Sequence, residues 1–146
     1  MNEIKKILYI GSHLDDIEIG CGGTLIKNQK KKNYFLILTD SEYKNKNKVI
    51  RSKSSAEKSF KKIRSKIRID NFKILNNKIN NLKVNDDLVL SIRNYIDKVK
   101  PDLIFTHWSG DAHHDHRAAG LATLSAARHI KNILMYRSNI YKTNIL

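Results

Sequence analysis

The sequence predicts an α/β domain: a mainly parallel sheet flanked by helices. Three observations carry this reading. Short apolar runs of strand length recur along the 146 residues, at Ile7–Ile10, Tyr34–Thr39, Leu103–Thr106 and Ile133–Tyr136. Unbroken apolar runs mark strands buried on both faces. Segments of helical period lie between them, as crossovers in a parallel sheet require. Two clusters of His and Asp, Ser12–Asp16 and Asp111–His116, each follow an apolar run. In such a sheet ligands bind beyond the carboxyl ends of the strands.

The elements follow in order. Ile7–Ile10 is the first strand and ends at Gly11-Ser12. Gly20-Cys21-Gly22-Gly23-Thr24 opens a helix that runs to Lys30-Lys31-Lys32, cations that suit a helix C-terminus. Tyr34–Thr39 is the second strand, and Asp40–Lys48 a polar loop. Val49–Lys66 reads as a helix, with Ala56, Phe60 and Ile63 on one face. Arg68–Leu75 alternates weakly as a short strand, and Asn76–Asn85 is the most loop-like stretch. Asp86–Lys100 is a helix with acidic residues at its start and Leu88, Ile92, Tyr95, Ile96 and Val99 as its stripe, stopped by Pro101. Leu103–Thr106 is a strand, Arg117–Ile130 an Ala-rich helix and Ile133–Tyr136 a last strand. The whole reads as one Rossmann-like domain, 1–146, apparently short at its C-terminus.

Composition bounds the function. One cysteine, Cys21, allows no internal disulfide. The N-terminal apolar run is too short for a signal segment or a membrane span, so a cytoplasmic protein is expected. The net charge of +14 could mark a nucleic-acid or membrane surface. The joint richness in Lys, Asn and Ile instead looks like an A/T-rich coding sequence, with lysines spread along the chain. No nucleic-acid partner is expected; a mild attraction for anionic substrates is.

The two polar clusters hold four carboxylates and four imidazoles, of only six His in the chain. His and Asp are the ligand set of catalytic zinc, which keeps one position open for water. His13/Asp16 and His113/His116 each have i, i+3 spacing, which lets one turn aim two side chains at a point. Gly20–Thr24 lacks the ending of a phosphate loop and is read as close helix packing near the metal loop. Cys21 is read as a small buried side chain.

These residues resemble the PIG-L/LmbE-like family of zinc-dependent N-acetylglucosamine deacetylases. That family has an apolar strand, a His-Pro-Asp-Asp-Glu type motif and a Gly-Cys-Gly-Gly-Thr type helix start. This chain has His13-Leu14-Asp15-Asp16-Ile17-Glu18-Ile19-Gly20-Cys21-Gly22-Gly23-Thr24. The second signature, Asp-x-His-x-Asp-His before Arg, fits Asp111 to Arg117. Three departures stand out: Leu14 for the usual Pro, Ser41 for the Gly that commonly follows Thr-Asp, and no Gly around 63–66.

The resemblance implies roles. His13, Asp16 and His116 would bind Zn²⁺, with Fe²⁺ or Co²⁺ left open by the ligand type. Asp15 would be the general base; its alternative is a helix cap. His113 would stabilise the oxyanion and protonate the leaving amine as an imidazolium. Asp115 would orient His113, or else cap the last helix. Asp111 would shape the site or touch sugar hydroxyls. Arg51 would bind substrate from the matching helix, or else be a solvated side chain. His107 and His114 are expected around the site or on the surface, not as ligands. The implied reaction is removal of acetyl from an N-acetylated amino sugar. The rival is an inactive or partial member acting as a metal-containing or basic binding module. A sheet left open after Tyr136 would favour that rival or a homo-oligomer.

Overall fold

The computed structural model describes residues 3–46 and 48–138. The expectations drawn on Asn139–Leu146 lie outside the described residues. Five strands form one sheet: β1 (Lys6–Gly11), β2 (Lys32–Thr39), β5 (Asn71–Asn77), β6 (Leu103–His107) and β7 (Ile133–Tyr136). Their order is β5-β2-β1-β6-β7, and every pairing is parallel. The helices are α1 (Asp16–Lys27), α2 (Lys53–Arg64), α3 (Asp86–Val99) and α4 (His114–Ala126). The α/β parallel sheet expected from the apolar runs is therefore the fold.

Alternation along the strands divides the core in two. Leu8, Ile10, Leu36, Leu38 and Ile104 pack against α3 and α4, while Ile7, Tyr9, Phe35, Ile37 and Phe105 pack against α1 and α2. A strand turns successive side chains to opposite faces. An unbroken apolar run thus feeds both layers at once. The small residues Ala118, Ala119, Ala122 and Ala126 of α4 let that helix lie close to the sheet.

The chain order brings β1 and β6 side by side at the centre. From β1 the chain moves outward through β2 to β5, then returns to β6 and β7. This reversal is the switch point at which open α/β sheets leave a crevice beyond the strand ends. The loops after β1 and β6 carry both His/Asp clusters.

Four expectations need correction. Helix α1 starts at Asp16, not at Gly20, so the second aspartate of the motif lies in its first turn. Lys30–Lys32 fall beyond α1, and Lys32 opens β2. The expected loop at 40–48 and helix at 49–66 instead contain an antiparallel hairpin, β3 (Tyr43–Asn45) and β4 (Lys48–Arg51), before α2. β-branched Val49 and Ile50 favour the strand, and Ser52 starts the helix by accepting the Ser55 N–H at 3.2 Å. Helix α4 begins at His114 and ends at Ala126, earlier at both ends than the expected 117–130. Helix α3 matches its expected span, with Asn85 Oδ1 accepting the Leu88 N–H and Lys100 closing it at φ 52°.

Candidate active site

The site is built from the loop after β1 and the loop after β6. Ser12 anchors the first: its hydroxyl donates to the Asp115 carbonyl at 3.0 Å, and its carbonyl accepts from Thr39 Oγ1 at 2.7 Å. The first loop is thereby tied to both α4 and β2. Leu14, 1 % exposed, donates its N–H to Ser41 Oγ at 2.9 Å. Ser41 itself sits at φ 57°, a conformation that favours glycine. Two of the three departures, Leu14 and Ser41, are thus partners. Proline at 14 would bring no N–H, whereas leucine brings one that the Ser41 hydroxyl accepts.

Asp16 is the hub. Its Oδ2 accepts the His13 N–H at 2.8 Å and lies 3.2 Å from His13 Nδ1 and 3.0 Å from His107 Nε2. Its Oδ1 lies 3.2 Å from His116 Nε2 and accepts from Ser138 Oγ at 3.2 Å. Burial alone would raise the Asp16 carboxyl, but the three imidazoles hold it well below the carboxylate range. For His13, burial would lower the ring, yet Asp115 and Asp16 raise it to about 9.

His13, Asp16 and His116 are all buried, and each offers a ligand atom within 4.8 Å of the others. Two imidazoles and a carboxylate fit a divalent ion with an open position. His13, His113 and Asp115 form a second such group, but the Asp115 oxygens already accept fixed backbone N–H groups. Oδ1 takes Leu82 N at 3.1 Å and Oδ2 takes Asn80 N at 2.7 Å. Asp16 Oδ2 also accepts one backbone N–H, but its Oδ1 meets only side chains, so the first group is the better candidate metal site.

The remaining site residues divide by what they touch. Asp15 stands at the head of α1 without a side-chain cap bond; its Oδ2 accepts from Arg51 Nη1 at 2.7 Å instead. Arg51 lies on β4, not on a helix, and lines the pocket with His13, Asp15, Tyr43, Ile50, Ile79, Asn80 and His113. This pocket holds about 500 Å³. Asp115 does not orient His113 through its carboxylate. That carboxylate faces His13 Nε2 at 3.0 Å, and only the Asp115 backbone N–H reaches His113 Nδ1, at 3.1 Å. With Nδ1 accepting, the His113 proton sits on Nε2. Burial, then His116 and His13, pushes the His113 ring below its ordinary value.

Asp111, 1 % exposed, shapes the site: its Oδ1 accepts the His113 N–H at 2.8 Å and lies 3.5 Å from His116 Nδ1. His114 is exposed. His107 is fully buried, stacked on His116 at 4.0 Å between ring centres. Sequence reasoning missed three groups here. Tyr136 donates to the Ile10 carbonyl at 2.9 Å and packs on His107. Asn80 and Leu82 come from the stretch read as featureless loop. Leu82, one of three apolar residues among the Asn and Lys of 76–85 and 1 % exposed, was the available signal.

The chain is thus a parallel α/β domain with a buried His₂Asp cluster at its switch point. The family model described as PIG-L, GlcNAc-PI de-N-acetylase, matches residues 8–127, and the chain belongs to this family. It is 30 % identical over 152 residues to an uncharacterized deacetylase of Escherichia coli K12, YaiS, covering 94 % of this chain and 76 % of that protein. Among solved structures it resembles the conserved protein TT1542 of Thermus thermophilus. The TM-score is 0.80 at 20 % identity, over 97 % of this chain and 69 % of that one. It also resembles the N,N'-diacetylchitobiose deacetylase of Pyrococcus horikoshii, with TM-score 0.77 at 21 % identity. That match covers 86 % of this chain and half of the Pyrococcus chain. At these identities the structural likeness speaks for the fold alone.

Proposed function

We propose that this chain is a cytoplasmic, metal-dependent hydrolase. Its reaction would remove the N-acetyl group from an N-acetylated amino sugar, free or carried on a glycoconjugate. The observation that carries this reading is the convergence of His13, Asp16 and His116, with His13 lining the same pocket as Asp15 and His113. The donor set suits Zn²⁺ first, with Fe²⁺ or Co²⁺ as alternatives. A divalent ion held there supplies Lewis-acid polarisation of a carbonyl and a more acidic water.

The chain's own residues would divide the remaining work. Asp15 takes the proton of the attacking water, and Arg51 fixes the direction of its carboxylate. That proton balances the one the amine nitrogen gains as the C–N bond breaks. His113 donates from Nε2 to the acetyl oxygen as negative charge develops on it. Asp115 and Asp111 hold His13 and His116 in place, as carboxylates orient metal-binding imidazoles. Tyr43, Ile50 and Ile79 give the pocket an apolar wall for a sugar face.

The test is acetate release from N-acetylated amino sugars, with metal content measured on the same sample. Asp15→Asn should keep its metal and lose roughly 10²-fold or more of turnover, as loss of a general base does. Unchanged turnover at equal metal content would remove Asp15 from the mechanism. Metal-loaded protein inactive on every acetylated sugar would favour a binding module.

A further inference from the structure

The positive charge of this chain is unevenly placed, contrary to the expectation of lysines spread along it. Residues 1–40 carry six Lys and Arg against five Asp and Glu, and residues 79–146 carry nine against six. Residues 41–78 carry thirteen against three, which is ten of the fourteen net charges. A coding bias toward lysine would not strip acidic residues from one segment.

The fold gathers that segment on one flank. It comprises the β3–β4 hairpin, α2 and the edge strand β5. Phe60 of α2 packs on Phe72 of β5 at 5.2 Å, and Lys53 at the start of α2 donates to Asn76 at 3.1 Å. Hairpin residues Tyr43 and Ile50 meet Ile79, just past β5, at the pocket. Helix α2 turns Ala56 and Phe60 inward and leaves Lys58, Lys61 and Lys62 exposed, an i, i+3, i+4 set on one helix face. On the hairpin, exposed Lys46 and Lys48, with Lys44 paired to Glu42 at 2.9 Å, lie beside Tyr43, Val49 and Ile50, which are 40 %, 48 % and 54 % exposed.

We propose that this flank, hairpin and outer face of α2 together, docks on a bilayer surface carrying anionic lipid headgroups. The chemistry favours lipid over nucleic acid. Ten of the thirteen cations are lysines, which attract a diffuse anionic surface as point charges. The three arginines have other tasks. Arg51 pairs with Asp15, Arg68 with Asp70, and Arg64 lies over the Phe72 ring. The forked guanidinium contacts that read base edges and the rows of aromatics that stack bases are therefore not on offer here. Aliphatic Val49 with Lys44 opposite it across the hairpin is the pairing that seats a peripheral protein in the headgroup layer, while Ile50, on the other face of β4, lines the pocket.

The test is sedimentation with vesicles and needs no substrate, so its outcome is independent of the deacetylase reading. The full chain should bind mixed phosphatidylcholine–phosphatidylglycerol vesicles and leave phosphatidylcholine vesicles unbound. Each surface lysine contributes about fivefold, so the triple change Lys58→Gln, Lys61→Gln, Lys62→Gln should weaken binding about a hundredfold. Val49→Asp should weaken it further, and both should keep the wild-type circular dichroism spectrum. The control triple Lys83→Gln, Lys98→Gln, Lys100→Gln removes equal charge elsewhere and should leave most of the binding. Raising salt from about 0.1 M to about 1 M shortens the screening length from about 10 Å to about 3 Å and should release the protein. Equal losses from the two triples would show a general charge effect and overturn the proposal. Tighter binding to a DNA or RNA duplex than to the mixed vesicles, lost with the same α2 lysines, would overturn it in favour of nucleic acid.

Discussion

Gly120→Ala should destabilise this protein, although alanine is the better helix former. Gly120 lies inside α4. A Cβ there would come 2.6 Å from the His107 carbonyl oxygen and 3.1 Å from Cα and N of Ser109. These are backbone atoms of the chain leaving β6, and no side-chain rotation can clear them. The helix advantage of alanine is about 0.5–1 kcal/mol, while overpacking of a tight contact costs about 1–3 kcal/mol. The net loss should be about 1–2 kcal/mol, or roughly 3–6 °C in melting temperature. Gly22→Ala is the matched control: a Cβ in α1 at that position meets nothing within 4 Å, so the helix advantage should appear in full. Thermal unfolding followed by circular dichroism should therefore move in opposite directions for the two variants. Helix α4 also carries Asp115 and His116. Gly120→Ala should thus weaken zinc binding in a chelator competition, and Gly22→Ala should not. A Gly120→Ala protein that gains stability would show that α4 does not approach β6 this closely, and the account of how the site is positioned would fall with it.

Three other variants probe the site's supports. Ser41→Ala leaves the buried Leu14 N–H without an acceptor and should cost about 1–3 kcal/mol. Ser41→Gly loses the same acceptor but regains about 1 kcal/mol from the positive φ, so urea midpoints should rank wild type, then glycine, then alanine. An alanine variant as stable as wild type would show that the hydroxyl supports nothing. His107→Phe keeps the ring stack but removes Nε2, which accepts the Ser12 N–H at 3.1 Å and lies 3.0 Å from Asp16 Oδ2, and should lower zinc affinity roughly 10- to 100-fold; an unchanged dissociation constant would exclude His107 as an orienting group. Asp102 accepts the N–H groups of Lys6 and Lys5, both at 2.9 Å, which hold its carboxyl below the ordinary 3.8. A lowered folded pKa gives stability that is present above that ordinary value and lost as pH falls through the folded one. Asp102→Asn should then melt below wild type at neutral pH, with the two curves meeting in strong acid; a constant gap at all pH values would rule out the charge as the cause.

The sequence by itself determined the fold class and the pair of loops that make the site. Apolar runs such as Ile7–Ile10 can only be buried on both faces, so they dictate a covered parallel sheet. Four His within a dozen residues have little use except convergence. Helix α3 was legible to its ends because the acidic pair Asp86 and Asp87, the apolar stripe and Pro101 are all local signals. The hairpin at 43–51 was not legible, because three- and four-residue strands are too short for any period to emerge. Tertiary structure alone decided the partners. Asp115 looked like an orienter for His113, two residues away, yet its carboxylate spans 102 residues of sequence to His13 because α4 begins beside the end of β1. Asn80 and Leu82 reach the same carboxylate for the same reason. Their backbone N–H groups carry no trace in residue type, and which carboxylate they satisfy depends only on where the sheet sets the loop.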